Sequence, residues 1–366
     1  MMARIELTVK VLTPLHIGTG TALTEGFDYV CHNGKTYRLD LDALAEELYT
    51  RDPEFTEMLL RTPPGQLLKP EDLRPDAPYI RYVLPGVPGG QQFREAIKDP
   101  RDRPYIPGSS LKGALRTIIA WHAWKELRLS LTHIGLGEKE KRATEDLEAE
   151  IFGRDPKKGR HSPHHDLLRA LKVSDSTSAD TSDLGLYNVQ VWTKRGGGAP
   201  IAVEAIRPGT EFRFSVGIDD ALFSTWAARA EGFPLKRGEW LRDLPRLARE
   251  RARERAERER DWWGGISGEM VGFFGDVLGA LEKTKKGFAV QIGFGTGWEG
   301  MTIGAPLKTD PLWPDIYRRY GLGRAPGSRG RTPPDEFPAS RRVVVGKDGK
   351  PRLPLGWIWV KWEVIR

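Results

Sequence analysis

Three stretches of this chain hold residue types suited to handling phosphate. The first lies in residues 105–121 and contains Pro107-Gly108-Ser109-Ser110-Leu111-Lys112-Gly113-Ala114-Leu115-Arg116. Pro-Gly makes a turn, and Ser109 or Ser110 can cap a helix by accepting a hydrogen bond from a free backbone N–H. Leu111, Leu115, Ile118, Ile119 and His122 then recur at helical spacing. Lys112 and Arg116 are four apart and project from another face. A helix start carries unsatisfied N–H groups and partial positive charge, so two cations close behind it complete an anion site, with phosphate the expected anion. The same residues also suit an ordinary capped amphipathic helix. P-loop spacing is absent, because Gly113 is followed by Ala114.

The other two stretches are glycine loops, His16-Ile17-Gly18-Thr19-Gly20 and Gly293-Phe294-Gly295-Thr296-Gly297. Gly18, Gly20, Gly293, Gly295 and Gly297 leave backbone N–H groups open to an anion. Each loop follows an expected strand, 5–12 or 288–292, so both can sit at one edge of a sheet. His16 has no Ser or Asp partner at the spacing of a catalytic triad, and a polar contact to RNA or backbone is expected of it. His161, His164 and His165 lack thiol companions, so neither a metal nor a cofactor is expected.

The 366 residues suffice for one large insertion-rich domain or two small ones. Hydrophobic residues make up 39% and include twelve Trp, enough for a core. Lys plus Arg total 57 against 50 Asp plus Glu, a net charge of +7 that is compatible with a nucleic-acid partner. Arg outnumbers Lys, and Arg forks onto phosphate and stacks on bases. Cys31 is the single cysteine, which excludes an internal disulfide and a thiol-based zinc site. The charged N-terminus does not read as a signal peptide, no apolar run approaches membrane length, and a cytoplasmic protein is expected.

Strands are expected at 5–12, 172–176, 210–218 and 288–292, with helices at 110–131 and, interrupted, at 222–281. That order is βαββαβ, an α+β, ferredoxin-like fold of the RNA-recognition type. Large insertions fall between these elements: Pro-rich 61–104, read as a surface segment; a hairpin at 186–206 with a basic, glycine-rich tip; and a loop at 321–338, read as mobile. One unit over 1–366 is the preferred division, with 1–176 and 177–366 as the alternative and a second, degenerate unit left open. Residues 246–261 hold seven Arg and five acids, and opposite charges at i, i+4 predict an exposed, solvated helix. Val343–Val345 and 357–364 are expected to form a terminal strand pair.

Residues 107–116 resemble the signature of the CRISPR RAMP superfamily, the RNA-binding subunits of type III effector complexes. Residues 13–20, 27–29, 37–40, 166–175, 292–298 and 355–357 are together similar to the fifth-subunit family of the type III-A (Csm) complex. The resemblance implies a non-catalytic, cytoplasmic protein of antiviral defence. It would bind the 3′ part of the guide RNA (crRNA), cap the filament of backbone RAMP subunits and support crRNA maturation. Implied site residues are His16, Gly18, Gly20, Ser109, Ser110, Lys112, Arg116, Gly293, Gly295 and Gly297. Implied partners are the guide RNA and a backbone RAMP subunit, then the small helical subunit, target RNA and a host nuclease. The alternatives are a Cmr-type RAMP subunit, or a RAMP ribonuclease acting through Asp28 or His16. RAMP backbone subunits carry a catalytic Asp near the position of Asp28, but here Tyr29-Val30 follows where those subunits have a different continuation.

Overall fold

A computed structural model describes residues 2–51, 58, 61–137, 142–230, 234–323 and 333–365. The central element is a five-stranded antiparallel sheet. Its strands lie side by side in the order Gly287–Gln291, Trp357–Ile365, Met2–Val11, Glu211–Asp219 and Leu171–Val173. Ile5, Leu7, Val9 and Val11 alternate into one face of the first strand, and Phe212, Phe214, Val216 and Ile218 do the same opposite them.

This is the ferredoxin-like arrangement, with one correction to the expected element list. The closing strand of that fold lies beside the first strand and antiparallel to it. Trp357–Ile365 fills that place, in register from Arg4 opposite Ile365 to Val11 opposite Ile358. The strand Gly287–Gln291 pairs instead with the outer side of Trp357–Ile365 and widens the sheet. Trp357, Ile358, Val360 and Trp362 of this strand are buried, while Lys361 and Glu363 are exposed.

A second sheet is ordered Pro351–Pro354, Ser340–Val345, Leu184–Thr193, Ile201–Ile206, Gln92–Ala96 and Gly18–Thr24, with Gly196–Gly197 pairing back onto Leu184–Thr193. The expected hairpin at 186–206 is therefore present and forms the middle of this sheet. The expected terminal pair is not, because Ser340–Val345 and Trp357–Ile365 belong to different sheets. A third, small sheet joins Tyr29–His32, Lys35–Leu39 and Ile80–Pro85. Residues 61–104 thus supply strands to two sheets, since apolar alternation at Ile80, Tyr82 and Leu84 overrides the surrounding prolines. Part of the 321–338 loop lies outside the described residues.

The helix Gly108–Glu126 buries Leu111, Leu115, Ile118, Ile119 and Trp121. The helix Leu244–Trp263 corrects the expectation of a solvated element. Ala248, Arg251, Ala252, Arg255, Ala256 and Glu259 form a buried stripe at helical spacing. The alanines permit close approach, and the long arginines reach beyond them to backbone carbonyls. Among the described residues no helix is long and apolar enough to cross a membrane.

Candidate nucleic-acid interface

The two glycine loops and the start of the Gly108–Glu126 helix meet at one groove of about 900 Å³. Its walls include His16, Gly18, Gly20, Ser109, Ser110, Arg116 and Gly293, residues brought together from three distant parts of the chain. Lys112 is absent from these walls and lines a neighbouring depression beside His161 and Asp166.

Each loop is held by the other. The Phe294 N–H donates to the His16 carbonyl at 2.8 Å. Gly293 has φ +72°, and a Cβ there would stand 2.4 Å from the same carbonyl oxygen, so only glycine fits. The His16 ring is buried, with Nδ1 2.6 Å from the Glu204 carbonyl and an edge against Phe294. A carbonyl accepts only, so Nδ1 carries the proton. Burial lowers the His16 pKa to about 4, against the pull of the Glu204 carbonyl, with Arg94 and Lys98 adding to the depression. His16 is therefore a neutral tie between the first loop and the second sheet. Behind it Lys98 and Glu204 form a buried ion pair at 2.6 Å, and Glu204 also accepts from the Ala96 N–H.

The second loop rests on the Leu244–Trp263 helix. Arg255 donates to the Thr296 carbonyl at 2.9 Å and to the Gln291 side chain. Gln291 donates in turn to the Leu355 and Gly295 carbonyls. Arg251 reaches the carbonyls of Glu299, Gly300 and Thr302. Desolvation lowers Arg255 to about 10 and Arg251 to about 9, so both keep their charge at neutral pH. These arginines position the loop and do not face the groove.

The start of the Gly108–Glu126 helix differs from expectation. Pro107 occupies the cap position, and neither serine caps the helix with its side chain. The Asp175 carboxylate takes the Gly108 N–H at 2.7 Å and already serves as an anion for this terminus. Ser109 and Ser110 are left to line the groove. The two expected phosphate-binding cations are engaged within the chain. Lys112 Nζ donates to the Leu171 carbonyl at 2.8 Å, and burial lowers its pKa. Arg116 bonds Asp166 at 2.7 Å and Glu148 at 3.0 Å, and its guanidinium lies 3.6 Å from the centre of the Phe152 ring. Asp166 also accepts from His161 at 2.8 Å and caps Leu168.

Asp28 is not part of the groove. Its carboxylate accepts the Thr24 N–H at 2.8 Å, and Arg38 donates to its carbonyl. Arg94 and Arg342 escaped the sequence reading, since single residues on separate strands leave no motif, and Phe294 was read only as part of its glycine loop. Arg94 and Phe294 line the groove, and Arg342 lies against the Phe294 ring.

The profile of the RAMP superfamily matches residues 8–298, a span that includes all three groove-forming stretches. The chain belongs to the RAMP superfamily. Its relatives in that superfamily include the CRISPR system Cms protein Csm5 of Streptococcus thermophilus, 28% identical over 258 residues, 62% of this chain and 69% of that protein. The protein of the same description from Mycobacterium tuberculosis (strain ATCC 25618 / H37Rv) is 26% identical over 260 residues, 58% of this chain and 66% of that one. A chain in the cryo-EM structure of a Csm–crRNA–target RNA ternary complex of a type III-A CRISPR-Cas system superposes with TM-score 0.71 at 28% identity, covering 99% of this chain and 100% of that one. The crystal structure of T. onnurineus Csm5 gives 0.69 at 27%, covering 96% and 99%.

Proposed function

We propose that this chain is a guide-RNA-binding subunit of a type III-A Csm complex, capping the 3′ end of the guide and supporting its maturation. The observation that carries the reading is the convergence of both glycine loops and the RAMP helix on one groove. Glycine amides, serine hydroxyls and Arg94 suit a phosphodiester track and read no base edges, so binding is expected to be weakly sequence-specific. The fold similarity extends over nearly the whole of a chain from an RNA-bound Csm complex, which supports RNA and other Csm subunits as partners. A backbone RAMP subunit is the expected neighbour, with the small helical subunit, target RNA and a trimming nuclease further out, in the cytoplasm. The chain acts by holding RNA and not by cutting it, because Asp28 and His16 are both committed to structural hydrogen bonds.

The test is a titration of the purified chain with single-stranded RNA across salt concentrations. Affinity should fall log-linearly as salt rises. An affinity independent of salt would contradict the phosphate track.

A further inference from the structure

Two arginines lie close to the Phe294 ring. The Arg94 guanidinium carbon is 5.0 Å from the ring centre and that of Arg342 is 4.6 Å. The two charges are therefore at most about 10 Å apart. The placement is built into the second sheet. Arg94 is paired with Val203 and Val203 with Tyr187, while Arg342 is paired with Val191, two positions along the strand from Val189. The period-two alternation of strands puts both arginines on the face that carries Tyr187, Val189 and Val203. Phe294 packs onto that face among Tyr187, Ile201 and Val344, and its backbone is fixed to His16.

Neither guanidinium has a hydrogen bond or a carboxylate partner among the described residues. This sets them apart from Arg116, Arg251, Arg255 and Arg341, which are all bonded within the chain. The nearest acid in sequence, Glu95, is 3.5 Å from Lys98. Partial desolvation against its neighbours lowers the Arg342 pKa, and the charge of Arg94 lowers it further. Two like charges held beside one ring without a counter-ion repel each other, and an anion between them would relieve that repulsion.

We propose that Arg94 and Arg342, set about Phe294, form one subsite for a single backbone phosphate of the bound RNA. Guanidinium groups are weakly hydrated and present forked donors, which suits two of them to share one phosphate. The inference rests on the RNA-binding reading above and adds the residues that take the charge in place of Lys112 and Arg116.

The experiment compares the full chain with Arg94→Gln, Arg342→Gln and the double variant, binding a short single-stranded RNA over a range of salt. Both positions are exposed, and thermal melts should show all variants folded. Each single variant should lose roughly tenfold in affinity at low salt, the scale of one charge-assisted hydrogen bond. The slope of log affinity against log salt should become shallower by about 0.7, the value for one phosphate on a single strand. The double variant should fall little further in either quantity, because both arginines serve the same phosphate. Additive losses with a slope change of about 1.4 would overturn the shared site, and unchanged binding would overturn any role for the pair. Inorganic phosphate, at matched ionic strength, is the second probe. If it stabilises the wild type in melts but not the double variant, while both bind RNA alike, the site holds free phosphate and the assignment to RNA backbone is overturned. Should the wild type bind no RNA, the functional reading itself fails, a result separate from wild-type-like binding by the variants.

Discussion

Arg255 donates to the carbonyl of Thr296 at 2.9 Å, across the gap between an internal helix and a loop at the mouth of the groove. The bond gives the run of arginines and glutamates at 246–261 a purpose that composition alone conceals. Its buried members hold the second glycine loop, and only its outer face is solvated.

Replacing Arg255 with Met should therefore destabilise the protein. It leaves the Gln291 side-chain oxygen and the Thr296 carbonyl without this donor in a buried setting, while Glu259 keeps its ion pair with Arg341. The expected loss is about 3 kcal/mol. Arg253→Ala, on the exposed side of the same helix, should change stability by less than about 0.5 kcal/mol. Denaturant melts of the two variants decide the matter, and equal losses would contradict it.

Arg116→Ala should cost stability before it costs affinity. The side chain is tied to Asp166, Glu148 and the Phe152 ring, and a loss of about 1–3 kcal/mol is expected. Once the variant is confirmed folded, its RNA salt slope should match that of the wild type. A shallower slope in a fully stable variant would return Arg116 to the RNA track.

Acidification should weaken the fold through His16. Its pKa is about 4 when folded, against the ordinary histidine value of 6.5 in the unfolded chain, so the unfolded state binds the proton first. Stability from this residue is thus intact above pH 6.5 and is lost as pH falls from 6.5 to 4. At about 1.4 kcal/mol per unit, the full loss approaches about 3 kcal/mol. Melts across this window should show a smaller pH dependence for His16→Gln than for the wild type. Identical dependence would mean that His16 is not buried in its neutral form.

The purified chain should not cleave guide or target RNA, with or without divalent metal. Asp28 is used by the turn at Thr24, and Asp28→Asn should leave RNA binding unchanged. Metal-dependent cleavage lost in Asp28→Asn would replace the binding subunit with a ribonuclease.

The meeting of the two glycine loops was legible because each follows a strand, and the structure brings Gly18, Gly20 and Gly293 to one groove, while Gly295 and Gly297 do not line it. The charges were not. Lys112 and Arg116 share a helix face, but their partners Leu171, Asp166 and Glu148 come from segments whose approach no local pattern records. The closing strand was misassigned for a similar reason. Gly287–Gln291 and Trp357–Ile365 both read as strands, and only the pairing of Trp357–Ile365 with Met2–Val11 separates them. Arg94 and Arg342 meet only through the second sheet, a relation invisible in the order of residues.

The most direct test of the account is ultraviolet crosslinking of the chain to guide RNA in its assembled complex, with the crosslinked peptides identified by mass spectrometry. The account predicts crosslinks in the segments around Gly18–Thr24, Ser109–Thr117 and Gly293–Met301, with the 3′ part of the guide. Crosslinks confined to the separate cleft at Lys125, Arg246 and Arg253, or no guide RNA bound at all, would contradict it.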